Sequence, residues 1–383
     1  MGQIVTPKSS HSNLTGLLNG KFLEDHARLE NRAKELIIGG FDGGINAEVF
    51  SKLGKSDPKI SGIAMGLLSS ELGIYYEEYG KKFIASFTKT QISSIGDYLS
   101  KSIKSPVREL SLGAAQLMYT LSRYDLGIKS KFDKALNEQP TKSDAQLLFK
   151  NCGVYHFARY PTEVLYSAAD TSPLDNNEKL ILISNPNSDW NNAFLYTKSI
   201  SQIFGFFNKA RVKIVESGTE KQLTERTERL KKNYGQADLS LIGGHGDPTG
   251  FELGSEKSEK KSNNNFFTSI FGNQDDPQWV VDTADTNVIK HLASLTKKTG
   301  AVIFRSCSLG KGSNSFAEVF SKTYQGKVFA ATQDGGIDFI DNVNGRTHVY
   351  YSEGMMTRLF QNGRILREEN ITKRPKLRTD YGF

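Results

Sequence analysis

Apolar, β-branched segments alternate with amphipathic ones in the second half of the chain, and this alternation restricts the fold more than any other feature. Helical periodicity occurs at 190–210, 219–235, 286–298 and 315–324. Strands that alternate with helices form a mostly parallel sheet with helices on its faces. We predict the strands at LILIS (180–184), RVKIVES (211–217), ADLSLIGG (237–244), AVIFRS (301–306) and KVFAAT (327–332).

The first part of the chain has a different pattern. Residues 1–20 are polar and rich in Ser, Asn and Gly, whereas 21–165 repeat apolar residues at spacings of three and four, as helices do. We therefore expect four segments: a mobile N-terminus (1–20), an all-helical domain for targeting, partner binding or autoinhibition (21–165), an α/β domain (166–362) and a basic tail (363–383).

Composition excludes several classes of protein. The 383 residues carry a net charge of only +7, with Lys and Arg mixed among Asp and Glu, which argues against a nucleic-acid binder. Two cysteines cannot build a disulfide framework, which favours a reducing compartment. Neither a Sec signal peptide nor a transmembrane segment is recognisable, so we expect a cytoplasmic protein, in its own cell or in a host cell.

Two reactive side chains follow predicted strands. His245 lies in GGHG directly after one strand, and Cys307 follows the next strand of the sheet. Because active sites of such sheets lie at the carboxyl ends of the strands, we expect the two to meet there. The imidazole would assist ionisation of the thiol and later protonate the leaving amine. The amides of Gly246 and Cys307 would form the oxyanion hole.

This pattern resembles the caspase-like cysteine peptidases of clan CD. The matching residues are SLIGGHG, with His245 and Gly246, and AVIFRSCSLGKG, with Cys307. Cys307 follows His245 by 62 residues, close to the roughly 50 that separate the pair in caspases. The likeness covers about 175–360 and is nearest to the autoprocessing domains of bacterial toxins and to CHAT-like members. It implies a caspase-like fold and a peptidase that cleaves proteins, with Cys307 as the nucleophile and His245 as general base and acid.

The resemblance also implies a substrate pocket. In this family, the places occupied by Asp189 and Asp334 commonly line the pocket for the side chain before the scissile bond, and two carboxylates there favour Arg or Lys. The chain lacks the Gln-Ala-Cys-x-Gly sequence of caspases, so their specificity for Asp is not carried over. Alternatively, both residues are ordinary acidic residues of loops and turns, with no part in a substrate pocket.

Two interpretations compete with a peptidase. One is a non-enzymatic α/β domain with a histidine in a turn and an inert cysteine; the other is a caspase-like adaptor without activity. We expect no metal site and no required cofactor. Relatives respond to inositol phosphates or to calcium, but no site for either activator is recognisable here. We interpret Cys152 and His156 as structural, and likewise His291 and His348.

The N-terminus matches a lipidation motif. MGQIVT fits M-G-x-x-x-[ST], with Gly2 as the acceptor of a myristoyl group and Thr6 at the required place. The alternative is an unmodified start. Acylation would attach the chain to a membrane and would suit a bacterial effector that acts inside a host cell. The insertion at 255–276 contains EKSEKK, which a protease specific for basic residues could cleave in its own chain.

Overall fold

The computed structural model describes residues 28, 31–33, 35, 47–74, 83–138, 143–154, 160, 162–187, 210–254, 279–334, 337–343, 346–351 and 356–370. The chain divides into two compact units, Met1–Gln146 and Leu147–Phe383. No helix in these ranges is both long enough and apolar enough to cross a membrane.

The described part of the first unit is helical. Thr88 caps α3 in a capping box with Gln91, and Asp125 caps α5 by accepting a hydrogen bond from the Ile128 amide at 2.8 Å. Pro58 opens α2, where its missing N–H costs nothing. The helices are α1 (Ala47–Lys55), α2 (Pro58–Ile74), α3 (Lys89–Ile103), α4 (Arg108–Ser122), α5 (Leu126–Asn137) and the short α6 (Asp144–Leu147).

A seven-stranded, mostly parallel sheet forms the second unit, in the order β11-β10-β7-β6-β3-β1-β2. The five strands from β7 to β2 pair in parallel, whereas β10 is antiparallel to both of its neighbours. The strands of the sheet are β1 (Lys179–Pro186), β2 (Ala210–Ser217), β3 (Ala237–Gly243), β6 (Thr296–Arg305), β7 (Lys327–Ala331), β10 (Met356–Gln361) and β11 (Arg364–Asn370).

Shorter elements complete the second unit. Two antiparallel pairs lie outside the large sheet: β4 (Gly250–Glu252) with β5 (Val280–Asp282), and β8 (Ile337–Val343) with β9 (Arg346–Tyr351). The helical elements are a π-helix (Leu148–Cys152), α7 (Thr162–Ala169), α8 (Glu220–Tyr234), α9 (Thr286–Ser294) and α10 (Phe316–Tyr324). As predicted, Thr219 caps α8, and Gly235 follows its last residue.

One face of the sheet packs against α8, α9 and α10. Alternate residues along each strand enter this core because side chains of a strand point to opposite faces. Aromatic rings fill the space around Phe304, which packs against Phe316 and Phe320 with ring centroids 5.5 and 5.1 Å apart. The core includes Leu180, Leu182, Val302, Phe304, Val328, Ala330, Leu223, Leu292, Phe316 and Phe320.

The predicted mixed α/β fold, with a mostly parallel sheet flanked by helices, is confirmed. One predicted boundary is wrong: the helix expected over 286–298 ends at Ser294, and β6 already begins at Thr296. The side chain of Thr296 is buried and bonds to Ser240 at 2.6 Å between hydroxyl oxygens, so pairing with β3 outweighs the helical pattern. The helix predicted over 190–210 lies outside the described residues except for Ala210, which begins β2.

Candidate functional site

Sheet register brings His245 and Cys307 to matched positions. Gly243, the last residue of β3, pairs with Arg305, the last residue of β6. His245 and Cys307 each follow that pair by two residues, on neighbouring parallel strands. Such strands lie about 4.8 Å apart, so both segments leave the sheet at the same edge. Both residues are partly exposed.

Gly246 is in close contact with the Cys307 segment. A Cβ atom at Gly246 would lie 3.1 Å from Cβ of Ser306 and 3.2 Å from the carbonyl oxygen of Cys307. These distances are shorter than ordinary carbon contacts of about 3.5–4.0 Å, so a larger residue would push the two segments apart. Glycine at this position therefore lets the turn after His245 pack directly on the residues around the thiol.

The backbone of Gly246 is oriented away from β4. The Glu252 amide donates to the His245 carbonyl at 2.7 Å, and the Asp247 amide donates to the Gly250 carbonyl at 3.0 Å. Between these bonds, Gly246 forms an antiparallel bridge with Phe251 at a non-hydrogen-bonded position. Its N–H consequently points away from β4, as an oxyanion donor would have to do.

The segment after Cys307 has an unusual conformation that neighbouring strands hold in place. Ser308 has a left-handed backbone, with φ of 56°, which a non-glycine residue adopts only at a cost. Its amide donates to the Gln333 carbonyl at 3.1 Å, and its hydroxyl donates to Oδ1 of Asp334 at 2.8 Å. The Gly310 amide donates to the Ala331 carbonyl at 2.8 Å. These bonds fix the direction in which the chain leaves Cys307.

The two predicted pocket residues have different outcomes. Asp334 is exposed near this edge, and its bond to Ser308 gives it a structural role in holding the Cys307 segment. Asp189 lies outside the described residues, as do Gly2, Thr6 and His156. The structure therefore brings the segments that carry His245, Gly246 and Cys307 together. Asp334 is joined to them by its hydrogen bond with Ser308, the residue after Cys307.

A buried chain of polar side chains extends from Arg305, at the end of β6, to residues near the carboxyl ends of β1 and β2. Arg305 Nη1 donates to Asn185 Oδ1 at 3.3 Å, and Asn185 Nδ2 donates to the Tyr160 hydroxyl at 2.8 Å. That hydroxyl donates to Glu216 Oε1 at 3.0 Å. All four residues are at most 4% exposed. The sequence gives no indication of this network, because its members are distant along the chain and only the sheet aligns them.

Glu252 is a further acidic residue beside the candidate site that the sequence did not identify. It ends β4 and is directly opposite His245 across the bridge described above. Burial raises its pKa, and the charge of His245 acts on the same carboxyl group in the opposite direction. The sequence indicates a tight turn between the two residues, through Asp247, Pro248 and Gly250, but it does not indicate that Glu252 returns to lie opposite His245.

The surroundings of the other candidate residues fit a structural role. Cys152 is 4% exposed, and burial raises its pKa to about 11. His291 lies on α9 with Nε2 2.7 Å from the Thr227 hydroxyl and Nδ1 3.7 Å from Glu228 Oε2, and burial lowers its pKa. In the described ranges, no group of three or more His, Cys, Asp and Glu residues is arranged to hold a metal ion.

Comparisons with protein-family models, with curated proteins and with solved structures found no match for this chain.

Proposed function

We propose that the chain is a caspase-like cysteine endopeptidase whose nucleophile is Cys307 and whose general base and acid is His245. One observation carries the proposal: β3 and β6 end in register, and His245 and Cys307 each follow two residues later. The contact of Gly246 with Ser306 and Cys307 supports it further. A thiol and an imidazole delivered to one edge of a parallel sheet are the parts that thiol-based acyl transfer requires.

Each step of the reaction has a group to perform it. His245 takes the proton of the Cys307 thiol, and the thiolate attacks the carbonyl carbon of the peptide bond. The Gly246 and Cys307 amides would stabilise the negative charge on the carbonyl oxygen. The imidazolium then gives its proton to the leaving amine. A water molecule, deprotonated by His245, hydrolyses the thioester and regenerates the thiol.

The test is cleavage of a peptide library by the full chain, read by mass spectrometry. Cys307→Ala and His245→Ala should each lower turnover at least roughly a thousandfold, because the two groups act as a unit. Cys152→Ala is the matched control and should retain full activity. Parallel assays contain inositol hexakisphosphate or Ca²⁺, since relatives respond to these activators. Wild-type turnover by Cys307→Ala would refute the proposal, and inactivity of every form would favour the inactive adaptor.

Specificity for Arg or Lys before the scissile bond is a separate part of the proposal. Among the described residues its support is Asp334, whose exposed carboxylate lies near the thiol. A carboxylate in a partly dry pocket prefers a cationic partner. The same library should show the preference, and Asp334→Asn should weaken it. A preference for acidic residues would refute this part of the proposal and leave the Cys307–His245 pair untouched.

Attachment to a membrane through Gly2 is also proposed, on the motif alone. The chain expressed in eukaryotic cells should carry a myristoyl group, and one acyl chain gives only marginal membrane binding. Gly2→Ala should therefore move part of the protein to the supernatant. Mass spectrometry of an unacylated Gly2 in such cells would refute this part and leave the peptidase proposal intact.

A further inference from the structure

His245 and Glu252 form a cross-strand pair. The bonds that flank the Gly246–Phe251 bridge set His245 opposite Glu252. Directly opposite residues of an antiparallel pair have Cβ atoms about 4.5–5.5 Å apart, on the same side of the ribbon. The side chain of Phe251 is 1% exposed and packs on Phe304 and Phe316. Alternation along β4 then directs Glu252 away from this core, to the side of His245.

The charges that act on the Glu252 carboxyl group come from the turn that precedes it. His245 and Asp247, both on the preceding turn, act on the Glu252 carboxyl group, and the thiol of Cys307 belongs to the neighbouring segment. Asp282 of β5 pairs with Gly250 rather than with Glu252, and its Oδ1 accepts the Ala284 amide at 2.6 Å. A half-buried carboxylate so close to an imidazole favours the imidazolium form.

Asp247 is the rival for this role, and its contacts exclude it. Its Oδ1 accepts hydrogen bonds from the Thr249 amide and hydroxyl, both at 2.7 Å, and from the Gly250 amide at 3.2 Å. The side chain therefore closes the turn that carries β4 back to His245. Asp247 is also exposed, so water screens its charge.

We propose that Glu252 is the positioning residue of His245: its carboxylate orients the imidazole and stabilises the imidazolium formed when His245 takes the Cys307 proton. The inference rests on the proposed function and adds a third member to the pair. In this role Glu252 acts as a carboxylate and exchanges no proton, as the acid of a catalytic triad does. It thereby favours transfer of the proton from sulfur to nitrogen.

The test is NMR of the imidazole nitrogens of His245, measured on the full chain in a Cys307→Ala background, which removes the thiol. The signals are assigned with His245→Ala. Glu252→Gln should move the ring nitrogen signals, because the carboxylate that orients the imidazole is lost. Asp247→Asn keeps the turn and should move them by less than a third of that amount. Unchanged ring signals in Glu252→Gln, or an equal change in Asp247→Asn, would overturn the inference.

Kinetics separate this inference from the proposed function. With Cys307 present, Glu252→Gln should lower kcat roughly tenfold or more with little change in KM, and Glu252→Asp should recover part of the loss. Equal melting temperatures would show that folding is not the cause. Ring signals that move in Glu252→Gln, together with a wild-type chain that cleaves no peptide, would uphold the pairing of Glu252 with His245 and refute the peptidase. Cleavage by the wild type, with kcat unchanged in Glu252→Gln, would uphold the peptidase and refute the role of Glu252.

Discussion

Each of the two cysteines has a basic group nearby, but the two differ in burial and in the element that carries them. Cys152 ends a π-helix, is buried, and has the ammonium group of Lys213 acting on it. Cys307 follows the carboxyl end of β6, is partly exposed, and adjoins the turn that carries His245. A nearby basic group therefore does not by itself make a thiol reactive.

The two basic groups differ in whether they can exchange a proton with the neighbouring thiol. Lys213 donates to the carbonyl oxygens of Ser167, Ala168 and Asp170, so its protons are already engaged in the interior. Burial raises the pKa of Cys152 to about 11 despite the neighbouring cation. His245 belongs to a partly exposed turn beside Cys307, and an imidazole nitrogen can both accept and return a proton.

The largest expected difference is in the rate of alkylation. With iodoacetamide at pH 7.5, Cys307 should react at least roughly 100-fold faster than Cys152, because a pKa raised from 9.0 to about 11 lowers the thiolate fraction by that factor relative to an ordinary thiol. Peptide mapping by mass spectrometry measures both rates in one sample. In urea the two rates should become equal. Comparable rates in the native chain would remove the distinction between the two regions.

The next effect is on stability and concerns the polar chain that ends at Arg305, two residues before Cys307. Glu216→Gln should lower the free energy of unfolding by roughly 3 kcal/mol, since it removes a buried charge from a network that contains a buried guanidinium. Glu225→Gln, on the exposed side of α8, is the control and should change it by less than about 0.5 kcal/mol. Urea unfolding followed by circular dichroism gives both values. Equal values would mean that the network does not support this edge of the sheet.

The smallest effect is the pH dependence around Cys152. Burial lowers the pKa of Lys213 to about 8, so above pH 8 the unfolded chain binds a proton that the folded chain does not. Stability from this group therefore rises with pH, whereas the raised pKa of Cys152 makes stability fall above its ordinary pKa of about 8.5. Between pH 8 and 9.5, the free energy of unfolding of Cys152→Ala should rise by at least about 1 kcal/mol more than that of the double variant Cys152→Ala/Lys213→Met. Identical pH profiles of the two variants in urea titrations would show that burial does not lower the pKa of Lys213.

The sheet could be predicted from sequence because its strands are continuous apolar runs separated by helical patterns. The runs at 180–184 and 211–217 lie within β1 and β2, and Thr219 and Gly235 bound α8 as expected. The end of α9 could not be predicted, because Thr296 and Lys297 fit a helical pattern and only pairing with β3 makes them a strand.

The site was partly predictable for the same reason. His245 and Cys307 follow strands, so the rule for carboxyl ends of parallel strands places both of them. Glu252 could not be placed, because its distance to His245 depends on the turn that Asp247 closes and on β4 lying over Gly244, where a Cβ would overlap the Glu252 carbonyl. Asp334 was predicted as a pocket residue, but its bond to Ser308 depends on a register between segments that no local pattern encodes.

Covalent labelling measures whether His245 activates the thiol of Cys307. The full chain is treated with a panel of peptidyl acyloxymethyl ketones, which react with thiolates of cysteine peptidases, and the modified residue is identified by mass spectrometry. One label on Cys307, lost in His245→Ala and kept in Cys152→Ala, is the predicted result. Labelling of Cys152, or equal labelling of Cys307 with and without His245, would show that His245 does not activate Cys307.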